Sequence, residues 1–151
     1  MNRLLAIFLL TISVTIFAQE GNMNKYTGNG WDIALAKGWQ TEIEDNLVSI
    51  YDPNGYGAVQ ISTYSKNTSI SEADLKELAS EHIESGAKYK TYTQNGGSVL
   101  TLAFGYEGTF WQYWYISVGN LAIVATYNCD EADQPNEIDI VKSMVSSIHA
   151  T

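Results

Sequence analysis

The stretch Thr109–Val118, TFWQYWYISV, decides how this chain folds. Half of it is aromatic: Phe110, Trp111, Tyr113, Trp114 and Tyr115. Side chains of a strand alternate between its two faces. Phe110, Gln112, Trp114, Ile116 and Val118 therefore share one face, and Trp111, Tyr113, Tyr115 and Ser117 share the other. The first set reads as core, each buried ring contributing roughly 1.5–3 kcal/mol. The second set is amphipathic. Left bare, its three rings of about 150–250 Å² each would rival the largest apolar patch on a typical monomer. Something must shelter them. A helix does so in a three-layer sandwich, and a partner or ligand does so at a binding surface, where Tyr and Trp are enriched. A helix is the expected cover. The mixed alternative packs Trp111 inside and leaves Tyr113 or Tyr115 wet at the rim.

The neighbours of this strand are hairpin partners. SVLTLAFGY precedes it through a Glu107-Gly108 turn, and LAIVATYN follows through Gly119-Asn120. AKYKTYTQ, carrying Tyr89 and Tyr92, joins SVLTLAFGY through NGG. Tight turns of this kind connect antiparallel strands. Further upstream, WDIALA, TEIE, LVSIYD and AVQISTYS read as strands, with WDIALA and AVQISTYS alternating between two faces. Asp45-Asn46 is a two-residue hairpin signal, and PNGYG a longer turn on Pro53 and Gly55.

Two segments have helical spacing instead. In residues 69–86, Leu75, Leu78, Ala79, His82 and Ile83 fall on one stripe, Ser71 suits the N-cap, and Gly86 suits the stop. After CDEADQ, Pro135 opens a second helix whose stripe is Ile138, Val141, Met144, Val145 and Ile148. Runs of consecutive strands exclude a parallel βαβ arrangement. The expected fold is α+β: a single antiparallel sheet of about seven strands with helices packed on it, an α/β/α sandwich.

The N-terminal MNRLLAIFLLTISVTIFAQE has one cation, Arg3, ahead of an apolar run from Leu4 to Phe17. That run is too short to span a membrane, which takes about 20 apolar residues. With Ala18 before Gln19 it reads as a signal peptide over 1–18, so that 19–151 is a single exported domain, periplasmic or extracellular. No cysteine follows the run, so a lipid anchor on a mature N-terminal Cys is excluded. Cys129 is the only cysteine, which leaves no intramolecular disulfide.

The formal charge is −9, and Arg3 is the only arginine. Nucleic-acid binding rests on dense Lys/Arg contacts to phosphate, so it is not expected here. The composition also argues against anionic membrane surfaces and against bidentate carboxylate or phosphate clamps.

LAKGWQTEIEDNLVSIYDPNGYGAVQISTYS (35–65), a helix, a meander ending in LAIVATYN, and a terminal helix closing on MVSSI together resemble the PsbP-like superfamily. That fold is shared by a photosystem extrinsic subunit, a nuclear-import factor that binds the GTPase Ran, and many small exported bacterial proteins. The resemblance covers about residues 25–149. It is carried by the Gly38-Trp39 corner, the YDPNG turn and the closing helix, and Ala36 stands where the family often has Pro. It implies an α/β/α sandwich and a binding or scaffolding role. It transfers no catalytic residue.

The reactive side chains are sparse. His82 lies in an apolar helical stripe, without the nucleophile and orienting partner that general-base chemistry needs. His149 is expected in the last helical turn, where a cation favours the dipole. Cys129 sits beside Asp130 and Glu131, which suppress a thiolate. Asp130, Glu131 and Asp133, with Glu137, are the best-placed carboxylates for calcium, but their spacing is not that of an EF-hand. A solvated acidic loop that caps the following helix is expected, with no metal and no cofactor. The sequence therefore points to a non-enzymatic binding or scaffolding domain that contacts another protein. The alternative is a small-ligand or glycan binder using exposed rings. In both, Trp111, Tyr113 and Tyr115 are the candidate contacts.

Overall fold

The computed structural model describes residues 24–151; the proposed signal peptide lies outside the described residues. Among the described residues, ten strands and three helices are laid out in three layers. The central layer is a seven-stranded antiparallel sheet of β3 (Gln40–Glu44), β4 (Leu47–Tyr51), β5 (Ala58–Ser65), β6 (Tyr89–Gln94), β7 (Gly97–Tyr106), β8 (Thr109–Val118) and β9 (Leu121–Asp130). Its spatial order is β3-β4-β5-β9-β8-β7-β6. The expected α+β sandwich and the strand number are both present.

Local chemistry fixes the hairpins. Asp45 closes β3–β4 at φ 52°, Asn95-Gly96 closes β6–β7 at 48° and 79°, and Glu107-Gly108 closes β7–β8 at 49° and 78°. Consecutive positive φ values give the turn twist that matches the right-handed twist of the flanking strands.

Long-range connectivity decides what covers β8. After β5 the chain must reach β6, at the far edge of the sheet. It crosses through α1 (Glu72–Leu78) and α2 (Ser80–Glu84), and α1 packs on β7 and β8. The sequence predicts one helix over 69–86; the structure interrupts it at Ala79 (φ −89°, ψ 3°). The break turns Leu78 outward, so the expected stripe holds for Leu75 and Ala79, with His82 and Ile83 half-buried. Ser71 caps α1 reciprocally: its Oγ accepts from the Asp74 amide, and Asp74 Oδ2 accepts from the Ser71 amide at 2.7 Å.

The other face carries α3 (Gln134–Ser146), with Pro135 in its first turn and the predicted stripe buried. Beside it lies a small sheet that the sequence reading did not expect: β1 (Lys25–Thr27), β2 (Trp31–Ala34) and β10 (His149–Ala150), ordered β1-β2-β10. WDIA therefore leaves the main sheet. Trp31 and Ile33 pack with α3 because the main sheet already ends at β3. His149 is corrected in the same way. It is not in a helical turn but pairs with Asp32 across the small sheet.

Apolar side chains collect on both sides of the sheet. The α3 side gathers Trp114, Ile116, Val59, Ile61, Ile123 and Tyr127. The α1 side gathers Leu75, Ala79, Leu100, Leu102 and Tyr115.

Candidate functional site

The three aromatic residues singled out on β8 stand in one row. Tyr113 and Tyr115 are nearly parallel at 6.1 Å between ring centroids, and Trp111 and Tyr113 follow at 6.3 Å. Register places Phe104 of β7 opposite Trp111, and its ring lies 6.5 Å from Trp111 and 6.0 Å from Tyr113. From above, the His82 ring of α2 closes on Tyr113 at 4.4 Å and on Phe104 at 5.5 Å. His82 is thus a packing residue on an aromatic row, with no nucleophile beside it in these contacts.

Burial drops past Tyr115. Tyr115, under α1, is 4 % exposed. Tyr113 and Trp111 are half-buried. The expected helix cover is present over Tyr115, and the mixed alternative differs from what is seen, since Trp111 is half-buried and Tyr115 is buried. The crossover helices enter from the Ser65 end of β5 and stop over Tyr113, so the Glu107 end of the sheet is the end left open. Burial, reinforced by Tyr113, pushes the Tyr115 hydroxyl up to about 12. Burial and the Glu81 carboxylate raise Tyr113.

Beyond the row the same sheet face continues without a helix. Register puts Asn128 and Thr126 of β9 beside Trp111 and Tyr113, then Ala58, Gln60 and Ser62 of β5, then Ser49 and Tyr51 of β4. Tyr106, two residues past Phe104 on the same face, is 64 % exposed. The result is a polar plain bounded by half-exposed rings on one side and, on the β3 edge strand, by the exposed Glu42 and Glu44. Sequence alternation assigns each of these residues a face, but not the fact that the crossover covers only half of it.

The remaining candidates separate. Cys129 is buried on the opposite face, and burial, ahead of the Glu137, Asp133 and Asp130 carboxylates, raises its thiol. Asp130 and Glu131 are exposed, and among the described residues no three His, Cys, Asp or Glu side chains are arranged to hold a metal ion. Asp133 sits at the N-cap of α3 but makes no side-chain cap. Its backbone is already helical, whereas a capping side chain reaches back from extended backbone. The buried carboxylate of this region is Glu137. It accepts from the Tyr56 amide at 3.0 Å, the Gly57 amide at 2.9 Å and the Tyr127 hydroxyl at 2.9 Å. All three donors are protein groups, so Glu137 is a structural tie.

A seven-stranded antiparallel sheet with a crossover helix pair on one face and a terminal helix on the other is the PsbP-like fold, and this chain has it. Solved structures agree. Cyanobacterial PsbP (CyanoP) from Synechocystis sp. PCC 6803 matches with a TM-score of 0.63 at 12 % identity, over 88 % of this chain and 96 % of that one. LpqN of Mycobacterium tuberculosis, described as involved in cell envelope biogenesis, matches at 0.55 and 13 % identity, over 88 % and 87 %. A Bacteroides thetaiotaomicron VPI-5482 protein matches at 0.64 and 16 % identity over 84 % of this chain, which spans only 48 % of that one. No protein-family model and no curated protein matches the chain. At these identities the likeness establishes the fold alone. Among the described residues no helix is long and apolar enough to cross a membrane.

Proposed function

We propose that this protein is an exported, non-catalytic binding domain that docks another protein on the uncovered half of its sheet. The observation that carries this reading is the stopping point of the crossover: it buries Tyr115 and leaves Trp111, Phe104 and Tyr106 at the border of an open polar face. Aromatic anchors beside neutral hydrogen-bonding groups, with the Glu42 and Glu44 carboxylates confined to the far β3 edge, match an interface whose centre is depleted of charge. Export rests on the apolar leader and its Ala18 site. The description of LpqN as involved in cell envelope biogenesis is in keeping with it.

The test is comparative capture from the native exported fraction. Wild type, Trp111→Ala/Tyr106→Ala and a distant surface variant, Lys37→Gln, are each crosslinked and their partners identified by mass. One protein retained by wild type and Lys37→Gln, but lost with the aromatic double variant, is expected. Identical profiles for all three would sink the reading. A mature chain beginning at Gln19 in the exported fraction is the accompanying check.

One observation favours a second reading, glycan binding. A half-exposed Trp111 ring beside Asn128 and Thr126 offers a stacking face next to an amide and a hydroxyl that can hydrogen-bond sugar hydroxyls. A sugar-dependent shift in tryptophan fluorescence, abolished by Trp111→Ala with the fold intact, would select it. Silence across a glycan panel would remove it.

A further inference from the structure

On the opposite side of the sheet, α3 packs on β9 and β2 and touches β6 at its Gln94 end, where the Gln94 amide donates to the Val145 carbonyl at 3.2 Å. Between α3 and strands β6–β8 lies an open cleft of about 740 Å³. Small-molecule sites commonly measure about 300–1,000 Å³. The floor is Trp114, Ala103 and the flank of Tyr92, with the backbone of Leu102, whose side chain belongs to the α1 face. Gln112 stiffens it. Its side chain is 7 % exposed and its amide nitrogen donates to Thr101 Oγ1 at 2.6 Å and to the Leu102 carbonyl at 3.2 Å.

The charge around the cleft is the decisive feature. Besides Arg3 the chain has only lysines as cations, against 17 acidic residues. Lys25, Lys66 and Lys76 are held in ion pairs with Asp32, Asp74 and Glu72 at 2.8, 2.7 and 2.9 Å. Four lysines have no such pair among the described residues. Lys37 is in the β2–β3 turn; Lys88, Lys90 and Lys142 all line this one cleft, with Asp139 as its single carboxylate. Lysines on an edge strand such as β6 discourage edge-to-edge pairing. That role explains Lys90, but not a third lysine facing it from α3. Like charges held around one concavity repel each other and concentrate counter-ions within it.

We propose that the cleft between α3 and β6–β8 binds a small organic anion, its charged group met by Lys88, Lys90 and Lys142 and its apolar body lying on the Trp114–Tyr92 floor. Compact ammonium groups, unlike a guanidinium fork, impose no planar geometry, so a carboxylate, a sulfonate or a phosphate ester suits them equally. Hydroxyls of Ser143 and Ser146 on the α3 wall supply neutral polar contacts. This site is on the other face from the partner platform and does not depend on it.

The experiment is a titration of the isotope-labelled exported protein with 2-naphthoate, its neutral counterpart 2-naphthylmethanol, and inorganic phosphate, followed by amide shifts. Saturable shifts confined to β6–β8 and α3 with 2-naphthoate are expected, weakening as salt is added. Lys90→Gln/Lys142→Gln should bind about tenfold more weakly, as the loss of a charge-assisted contact implies. Lys142→Arg should retain binding, and Trp111→Ala should leave it unchanged. The proposal is overturned if 2-naphthylmethanol binds as tightly, if phosphate alone matches 2-naphthoate, if no ligand saturates, or if the double lysine variant keeps full affinity while folded. Loss of binding in Trp111→Ala would place the ligand on the aromatic row and overturn it as well.

Discussion

Glu137 joins the last helix to the turn before β5 through two backbone amides and a tyrosine hydroxyl. Charge-assisted hydrogen bonds contribute about 1.5–3 kcal/mol each, and buried donors left without a partner add to the loss. Glu137→Ala should therefore destabilise by about 3 kcal/mol or more, read as a lower urea midpoint at unchanged slope. Two titratable residues give sharper tests. Asp74 is lowered from the usual 3.8 to about 2 by Lys66 and by the Ser71 amide and hydroxyl. A carboxyl held lower in the folded state than in the unfolded one stabilises fully above the unfolded value and loses that contribution as pH falls through the folded one. The stability gap between wild type and Asp74→Asn should thus be constant above about pH 5, narrow between about 4 and 2, and vanish below. A gap that persists at pH 1.5 would refute the assignment. Cys129, raised chiefly by burial, should label with a thiol reagent at pH 8 only as fast as the chain unfolds; rapid labelling of the native protein would reopen a reactive role.

At the scale of elements, β8 is the strand on which both layers rest. One of its faces meets α3 and the other meets α1. Leu75 is fully buried against the Tyr115 side of the sheet. Leu75→Ala should cost about 2–5 kcal/mol, and Ser71→Ala about 1 kcal/mol through loss of the cap. Leu75→Ala should also raise the exposure of Tyr115, lowering its hydroxyl from about 12 toward the ordinary tyrosine value. Ultraviolet titration of the tyrosines measures this, and an unmoved Tyr115 would mean that α1 is not its cover. Elements were legible where periodicity is strong. The strands of the meander, the Ser71 cap and the α3 stripe follow from spacing alone. The break at Ala79 did not, because alanine carries no signal against helix, and the bend comes from fitting the crossover to a twisted sheet.

At the scale of the molecule, the two apolar layers share β8 and β9, so they should melt together. Amide exchange is expected to show its highest protection in these two strands, with α2 and the small sheet opening at lower free energy. Separate unfolding transitions for the α1 and α3 layers would contradict that coupling. The lysine cleft shows what composition conceals at this scale. A net charge of −9 and the lack of arginine beyond Arg3 argued against bidentate anion clamps, yet three lysines without an ion-pair partner among the described residues meet in one cavity. Lys88 and Lys90 are two residues apart and visibly share a face. Lys142 is more than fifty positions away, and only the packing of α3 beside β6–β8 sets it opposite them.

By itself the sequence determined the strand alternation, the turns, the two helical stripes and the resemblance to a PsbP-like sandwich, because each depends on residues within a few positions of one another. Only the tertiary structure decided where the crossover stops, which rings on β8 stay uncovered, that WDIA and His149 build a second small sheet, and which lysines converge. Those outcomes depend on the order of strands across the sheet, and that order is set by long-range pairing, not by local spacing.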